Sequence, residues 1–234
     1  MATGAGPGDT DRWPTAPDAL VALQQRLSVL ADPAWQPEDP QASVAASYIC
    51  FRRGVGGPGA AGDRAWAGAA LKLRGRPSRT VVVTGGVGGP YIPGLLALRE
   101  GPLRCAAVSA LDGRPGVLIV DATGRDHPRR AGLALHLGWA QQVPSVGATH
   151  RPLLASGAWP EDRRGATQPL TLDGEVVGHW VRTRPGVRPL AVHAGWRTSP
   201  EVAVEVVLGA ARRARTPQPL RAARRAARTA RSRA

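Results

Sequence analysis

Residues 117–121 read Val-Leu-Ile-Val-Asp, four apolar residues in a row closed by a carboxylate. So short and wholly apolar a run is the pattern of a central strand buried on both faces. In open α/β sheets ligands gather at the carboxyl ends of such strands, which is where Asp121 stands. Upstream, segments 44–51, 65–73 and 79–84 read as strands. The first two are joined by 52–64, too Gly-rich for anything but a hairpin loop. Segments 95–100 and 102–111 read as helices. Downstream, a helix over 129–142, a strand over 144–147, strands over 175–183 and 188–193, and a helix over 200–213 complete the series. Hairpin strands first, then strands alternating with helices, predict a single α/β domain with a mixed central sheet flanked by helices. Leu20, Leu23, Leu27 and Leu30 add an amphipathic helix over 17–31. Thr15 and Asp18 stand at its start in the manner of a capping box, and Pro33, Pro37 and Pro40 end it.

The 234 residues suit one domain with tails, and 43% hydrophobic residues are enough for a sizeable core. Three regions are expected: a disordered Gly/Pro-rich segment over 1–14, the domain over 15–210, and an Arg-rich tail over 211–234. Thirty-one basic residues against 17 acids give a net charge of +14. That balance points to a polyanionic partner, nucleic acid before anionic membrane. The bias of Arg over Lys, with Lys72 the single lysine, is equally what an Arg-favouring codon usage would produce. Nine arginines and no acid fall in 211–234. Arg221, Arg224, Arg225 and Arg228 form a basic stripe on an Ala-rich segment that presents no evident apolar face. A solvated tail and a nucleic-acid contact are equal readings of it.

Cys50 and Cys105 are too few for a zinc module or a disulfide framework and read as reduced core thiols. No apolar run reaches the ~18–20 residues that span a bilayer. The first residues lack the basic start and apolar stretch of a signal peptide, so a cytoplasmic monomer is expected.

Three constellations could carry chemistry. Glu100 ends a helix-like turn and Asp121 a buried strand; two acids from separate elements could share Mg²⁺, which takes one or two carboxylates plus phosphate oxygens and water. From spacing alone, capping roles fit them better. His127, Arg129 and Arg130 around a helix start would make a phosphate clamp, whereas His136, seven residues on from Arg129, reads as a core histidine. Pro90-Tyr91-Ile92-Pro93 is a stiff apolar projection of the kind that unstacks bases, or else a tight turn packed inward. The Gly-rich run 85–94 lacks the Lys-Ser/Thr pair of a phosphate loop and is not read as one.

Taken together, the segments resemble the endonuclease V family, nucleases that nick near deaminated purines such as deoxyinosine. The similarity covers about residues 17–220. It is densest in PYIPGLLALRE (90–100), VLIVDATGRDHPRRAGLALHLG (117–138) and VPSVGATHRPL (143–153), and looser in 175–190 and 215–226. The resemblance implies an RNase H-like fold and a Mg²⁺ cofactor, with Mn²⁺ as the substitute. It implies a nucleic-acid partner (DNA, with RNA as the alternative) carrying deaminated bases. Pro90, Tyr91, Ile92 and Pro93 would be the strand-separating wedge, and Glu100 and Asp121 the metal ligands.

Several family positions are substituted. The first-strand metal Asp is Tyr48, and a phenol is a poor ligand for Mg²⁺ at neutral pH. The lysine of a G-V-A-K segment falls at His150, which would take its catalytic place. The late histidine of a G-H-R segment falls at Trp196, and the Gly after the second ligand is Ala122. Neither Asp63 nor His193 is placed to compensate. The residues therefore predict either a Mg²⁺-dependent endonuclease on Glu100 and Asp121 or a relative that binds nucleic acid with cutting lost or greatly weakened, and favour the second. A general basic module with a vestigial wedge is the third reading.

Overall fold

The structure, a computed structural model, describes residues 12–30, 34–36, 38–39, 41, 43–54 and 56–234. Its framework is an eight-stranded mixed sheet. The strands are β1 (Ser43–Phe51), β2 (Arg64–Leu73), β3 (Arg79–Gly86), β4 (Val117–Val120), β5 (Ser145–Thr149), β6 (Thr167–Leu172), β7 (Glu175–Val181) and β8 (Leu190–Ala194). They lie in the order β3-β2-β1-β4-β5-β8-β7-β6. The first three form an antiparallel meander; β1, β4 and β5 run parallel; β8, β7 and β6 return antiparallel. The helices are α1 (Pro17–Val29), α2 (Leu96–Ser109), α3 (Leu133–Gln141), α4 (Pro200–Ala210) and α5 (Gln218–Ser232). The expected single domain with a mixed sheet between helices is the fold observed.

Burial on both faces explains why β4 is apolar throughout. Val117 and Ile119 join the cluster with residues of α4 and α5, while Leu118 and Val120 join the cluster with residues of α2 and α3. In β1 the alternation sends Val44, Ala46, Tyr48 and Cys50 to the first face and Ala45 and Ile49 to the second. Ser47 pairs with Val120, so Tyr48 comes beside Asp121 one residue beyond the end of β4.

Four local expectations need correction. The helix α1 is capped by Ala16, which makes no side-chain cap bond, so Thr15 and Asp18 do not form the box. Segments 95–100 and 102–111 are one helix, α2, which runs through Pro102. Pro102 lacks the N–H that would bond the Leu98 carbonyl; at the next residue the Gly88 N–H, from outside the helix, donates to the Arg99 carbonyl at 3.3 Å. The helix expected from 129 begins only at Leu133, because Arg130 takes φ +54°, in the left-handed region. Strand β6 has no counterpart among the expected strands; it carries Pro169 and is the last strand of the sheet, where a missing N–H is tolerated.

The largest correction concerns 211–234, expected to lack a face for docking. Helix α5 buries Pro219, Leu220, Ala222, Ala223 and Ala227 and packs across β1 and β2. Gly68 makes this possible: a Cβ there would stand 2.5 Å from the Ala223 carbonyl oxygen. At the other end, residues 1–11 of the expected disordered segment lie outside the described residues. Trp13 stacks on the buried His136 with ring centroids 4.3 Å apart. His136 is the core histidine expected, and both cysteines are free thiols.

Candidate nucleic-acid interface and carboxylate site

The segment Pro90–Pro93 projects from the loop between β3 and α2, with Tyr91 48% and Ile92 36% exposed. Its apolar residues do not pack inward. The projection ends at Gly94, whose φ of +76° suits glycine. The Gly94 carbonyl is held by three side chains: Arg129 Nη2 at 2.7 Å, Gln24 Nε2 at 3.1 Å and His127 Nε2 at 3.1 Å. Arg129 Nε also donates to Gln24 Oε1 at 2.6 Å, closing the network. Burial is the first cause that lowers the His127 pKa to about 4, so the ring is neutral at pH 7 and donates from one nitrogen only.

Arg99 braces the projection from beneath. It donates to the Ala60 and Gly89 carbonyls, pairs with Asp63 at 2.9 Å and lies over the Phe51 ring at 4.4 Å. A backbone bond from Tyr91 to the Pro58 carbonyl completes the attachment. Between this loop and the projection opens a cavity of about 500 Å³, lined by Tyr91, Phe51, Asp63, Arg99 and Glu100 among others.

The three residues read as a phosphate clamp do not act together. His127 and Arg129 hold Gly94, while Arg130 turns away to the Leu172 carbonyl and to Asp173 and Glu175. None lies at a helix start, since α3 begins after them.

The carboxylates are found where their elements place them, each beside an arginine. Glu100, 7% exposed on α2, receives Arg104 Nε at 2.9 Å and Nη2 at 2.8 Å. Arg104 Nη1 also donates to the Ser47 carbonyl at 3.2 Å. The Asp121 N–H reaches that same carbonyl at 3.4 Å, so both acids are tied to one peptide of β1. The Asp121 carboxylate lies 3.7 Å from Arg224 Nη2, and the Arg224 and Arg228 guanidiniums stand 5.0 and 5.7 Å from the centre of the Tyr48 ring.

His150, just past β5, belongs to this neighbourhood. Burial, then Arg215 and Arg224, push its pKa down, and Asp121 opposes them. Trp196 does not. It lies beyond β8, packed with Leu23, Leu27, Ala131 and Leu135, and its N–H bonds Ser145 Oγ at the start of β5, the end away from His150. Ala122 is buried beside Asp121.

Asp126 organises the loop after His150. Backbone N–H groups of Leu153, Leu154 and Ala155 all donate to its carboxylate. The buried His193 sits 3.8 Å away and bonds Thr149 Oγ1 at 3.1 Å. Cys50, under α5, has its thiol pKa raised by burial, with Arg231 and Arg228 opposing, which keeps it a protonated core group.

A metal ion does not fit this donor set. Among the described residues no three His, Cys, Asp or Glu side chains gather in a way that could hold one. Glu100 is engaged by Arg104, Tyr48 replaces a carboxylate, and a divalent ion on Asp121 would sit against the Arg224 guanidinium. The sequence places Arg224 only in a basic stripe and does not reveal that it faces Asp121, 103 positions away; Arg104, the i+4 neighbour of Glu100, is a site group the sequence reading passed over.

Comparison with known proteins places the chain. The sequence pattern described as Endonuclease V matches residues 63–225. The chain belongs to the endonuclease V family. It is 37% identical over 217 residues to the endonuclease V of Roseiflexus sp. (strain RS-1), covering 90% of this chain and 91% of that one. It is 43% identical over 156 residues to that of Nocardia farcinica, covering 66% and 68%. Among solved structures, endonuclease V from Streptomyces avermitilis superposes with a TM-score of 0.81 at 30% identity, covering 93% and 94% of the two chains. Endonuclease V from Ciona intestinalis, in complex with a DNA containing an inosine followed by a ribo-adenosine, shares the fold at TM-score 0.73 and 19% identity, covering 92% and 98%.

Proposed function

We propose that this chain is a nucleic-acid-binding endonuclease V relative that recognises deaminated purines, inosine first, with phosphodiester cutting lost or greatly weakened. One observation carries the reading. Both carboxylates matching the family's ligand positions are faced by guanidiniums of the chain itself, and Tyr48 takes the third position. Recognition keeps what it requires. The wedge Pro90–Pro93 is exposed and held at both ends, and the cavity beside Tyr91 can receive an extruded base. Inosine in the DNA bound by the Ciona relative supports that choice of base.

The runner-up is a Mg²⁺-dependent endonuclease on Glu100 and Asp121, favoured by their shared attachment to the Ser47 peptide. A nicking assay on duplex DNA with a single inosine, in Mg²⁺ and in Mn²⁺, separates the two. The expected result is tighter binding to the inosine duplex than to its unmodified counterpart, with no cut product above background. Strong nicking by the unmodified protein overturns the proposal. Equal affinity for the two duplexes removes the assignment to deaminated bases.

A further inference from the structure

We propose that Arg224 is the resident cation of the carboxylate site, and that the surface formed by Arg224 and Arg228 over Tyr48, with Arg215 close to Arg224, binds a nucleic-acid phosphodiester without a divalent metal. The inference rests on the binding role proposed above and names the group that takes the phosphate.

The two arginine–carboxylate pairs differ in kind. Arg104 is 3% exposed in its side chain; it makes two short bonds to Glu100 and a third to the Ser47 carbonyl. That pair is closed. Arg224 is 24% exposed, and its 3.7 Å separation from Asp121 lies beyond hydrogen-bonding range. Its Nε is buried without a hydrogen-bond partner. Asp121 therefore orients the guanidinium by charge without a hydrogen bond, the buried Nε faces inward, and the Nη groups of this part-exposed side chain are left to offer to an anion, for which a phosphate diester matches the planar fork.

The surrounding charges favour an anion. Arg224 and Arg228 are four apart on α5, a spacing at which like charges repel. The face of Tyr48 eases that repulsion without neutralising it. Arg215 is fixed by bonds to the Arg188 and Pro189 carbonyls, which carry no net charge. Against three guanidiniums the ion pair recorded among the described residues is that of Arg224 with Asp121, leaving a net positive surface at the C-terminal ends of β1, β4 and β5. In open α/β sheets this is the ligand-binding edge.

Fluorescence anisotropy of a labelled DNA duplex carrying one inosine, with an RNA duplex of the same sequence as a second arm, tests the inference. The affinity of the full chain in EDTA should equal that in Mg²⁺. Arg224→Ala should weaken binding about tenfold and flatten the salt dependence by about 0.9 in slope, the value for one lost phosphate contact. Arg224→Lys should recover the slope with part of the affinity, and Asp121→Asn should tighten binding by removing the competing anion. Thermal melts of each variant identify any that fail to fold, and Mn²⁺ titration followed by water-proton relaxation gives a readout independent of nucleic acid. Tight Mn²⁺ binding by the unmodified chain, loss of duplex binding in EDTA, or unchanged affinity and slope for Arg224→Ala each overturns the inference. In the last case inosine preference would persist and the binding role would stand. If the unmodified chain bound neither duplex, both proposals would fall.

Discussion

The wedge and the carboxylate site are joined by little more than one turn of α2, from Gly94 to Glu100, yet they are built on opposite plans. At the wedge the polar groups behind the exposed apolar residues are paired: the Gly94 carbonyl has three donors, and Arg99 bonds two carbonyls and Asp63. At the carboxylate site acids remain, but guanidiniums stand where hard-cation chemistry needs further acids. Under the proposed function the contrast has a reason: a projection pressing between stacked bases has to be stiff, whereas a site that only holds a phosphate needs charge rather than coordination geometry. On the proposed reading, the molecule keeps a braced projection suited to recognition beside a carboxylate site whose acids face guanidiniums.

The sharpest way to break this contrast is to remove α5. Truncation before Gln218 strips Leu220, Ala222, Ala223 and Ala227 from the core face over β1 and β2. A loss on the order of 5 kcal/mol is expected, seen as a melting temperature lower by about 10–20 °C. A truncated protein melting like the full chain would show that the helix is an appendage, and the positive surface over Tyr48 with it.

Acidification comes next. Burial holds the His127 pKa at about 4, against about 6.5 in the unfolded chain. The unfolded state therefore takes up a proton that the folded state refuses, and stability falls as pH drops from about 6.5 to about 4. His136 has the same depression from the same cause and adds to the slope. Melting temperatures measured across this range should fall by several degrees. His136→Leu should flatten part of the decline, and a flat profile in the unmodified protein would contradict the buried, neutral state of both rings.

The smallest effect expected is the most specific. Arg129→Ala removes the shortest of the three bonds to Gly94 and its tie to Gln24. Binding to an inosine duplex should weaken about tenfold, near 1.4 kcal/mol. Binding to plain single strands, which need little unstacking, should hardly change. Tyr91→Ala should show the same asymmetry. Equal losses on both substrates would reduce the projection to a turn.

Much of the fold was legible because its signals are local. The apolar run of β4, the alternation of β1 and the Leu spacing of α1 each announce an element without reference to the rest. Helix α5 escaped because its docking face is mostly alanine. Such residues gain by close approach to a particular surface rather than by their own apolar area, and that surface is 150 residues away in β1 and β2. Glu100, Asp121 and the wedge could be located through motifs. Arg224 could not, since a charge stripe on a helix reads the same whether it faces water or a carboxylate. Trp196 misled for a related reason: its motif position was clear, but the antiparallel run of β8 carries it to the wrong end of β5.

Gly68 pairs across the sheet with Tyr48 and lies directly under Ala223. Its missing methyl group sets the standoff between helix and sheet, and hence the height at which the neighbouring Arg224 rides above the tyrosine ring. An alanine at 68 would act as a shim, lifting the middle of α5 and drawing the guanidinium back from Asp121 without altering any charge. The electrostatic character of the surface over Tyr48 is thus governed in part by a residue with no side chain, so Gly68→Ala should weaken the anion binding proposed for Arg224 while every charge stays in place.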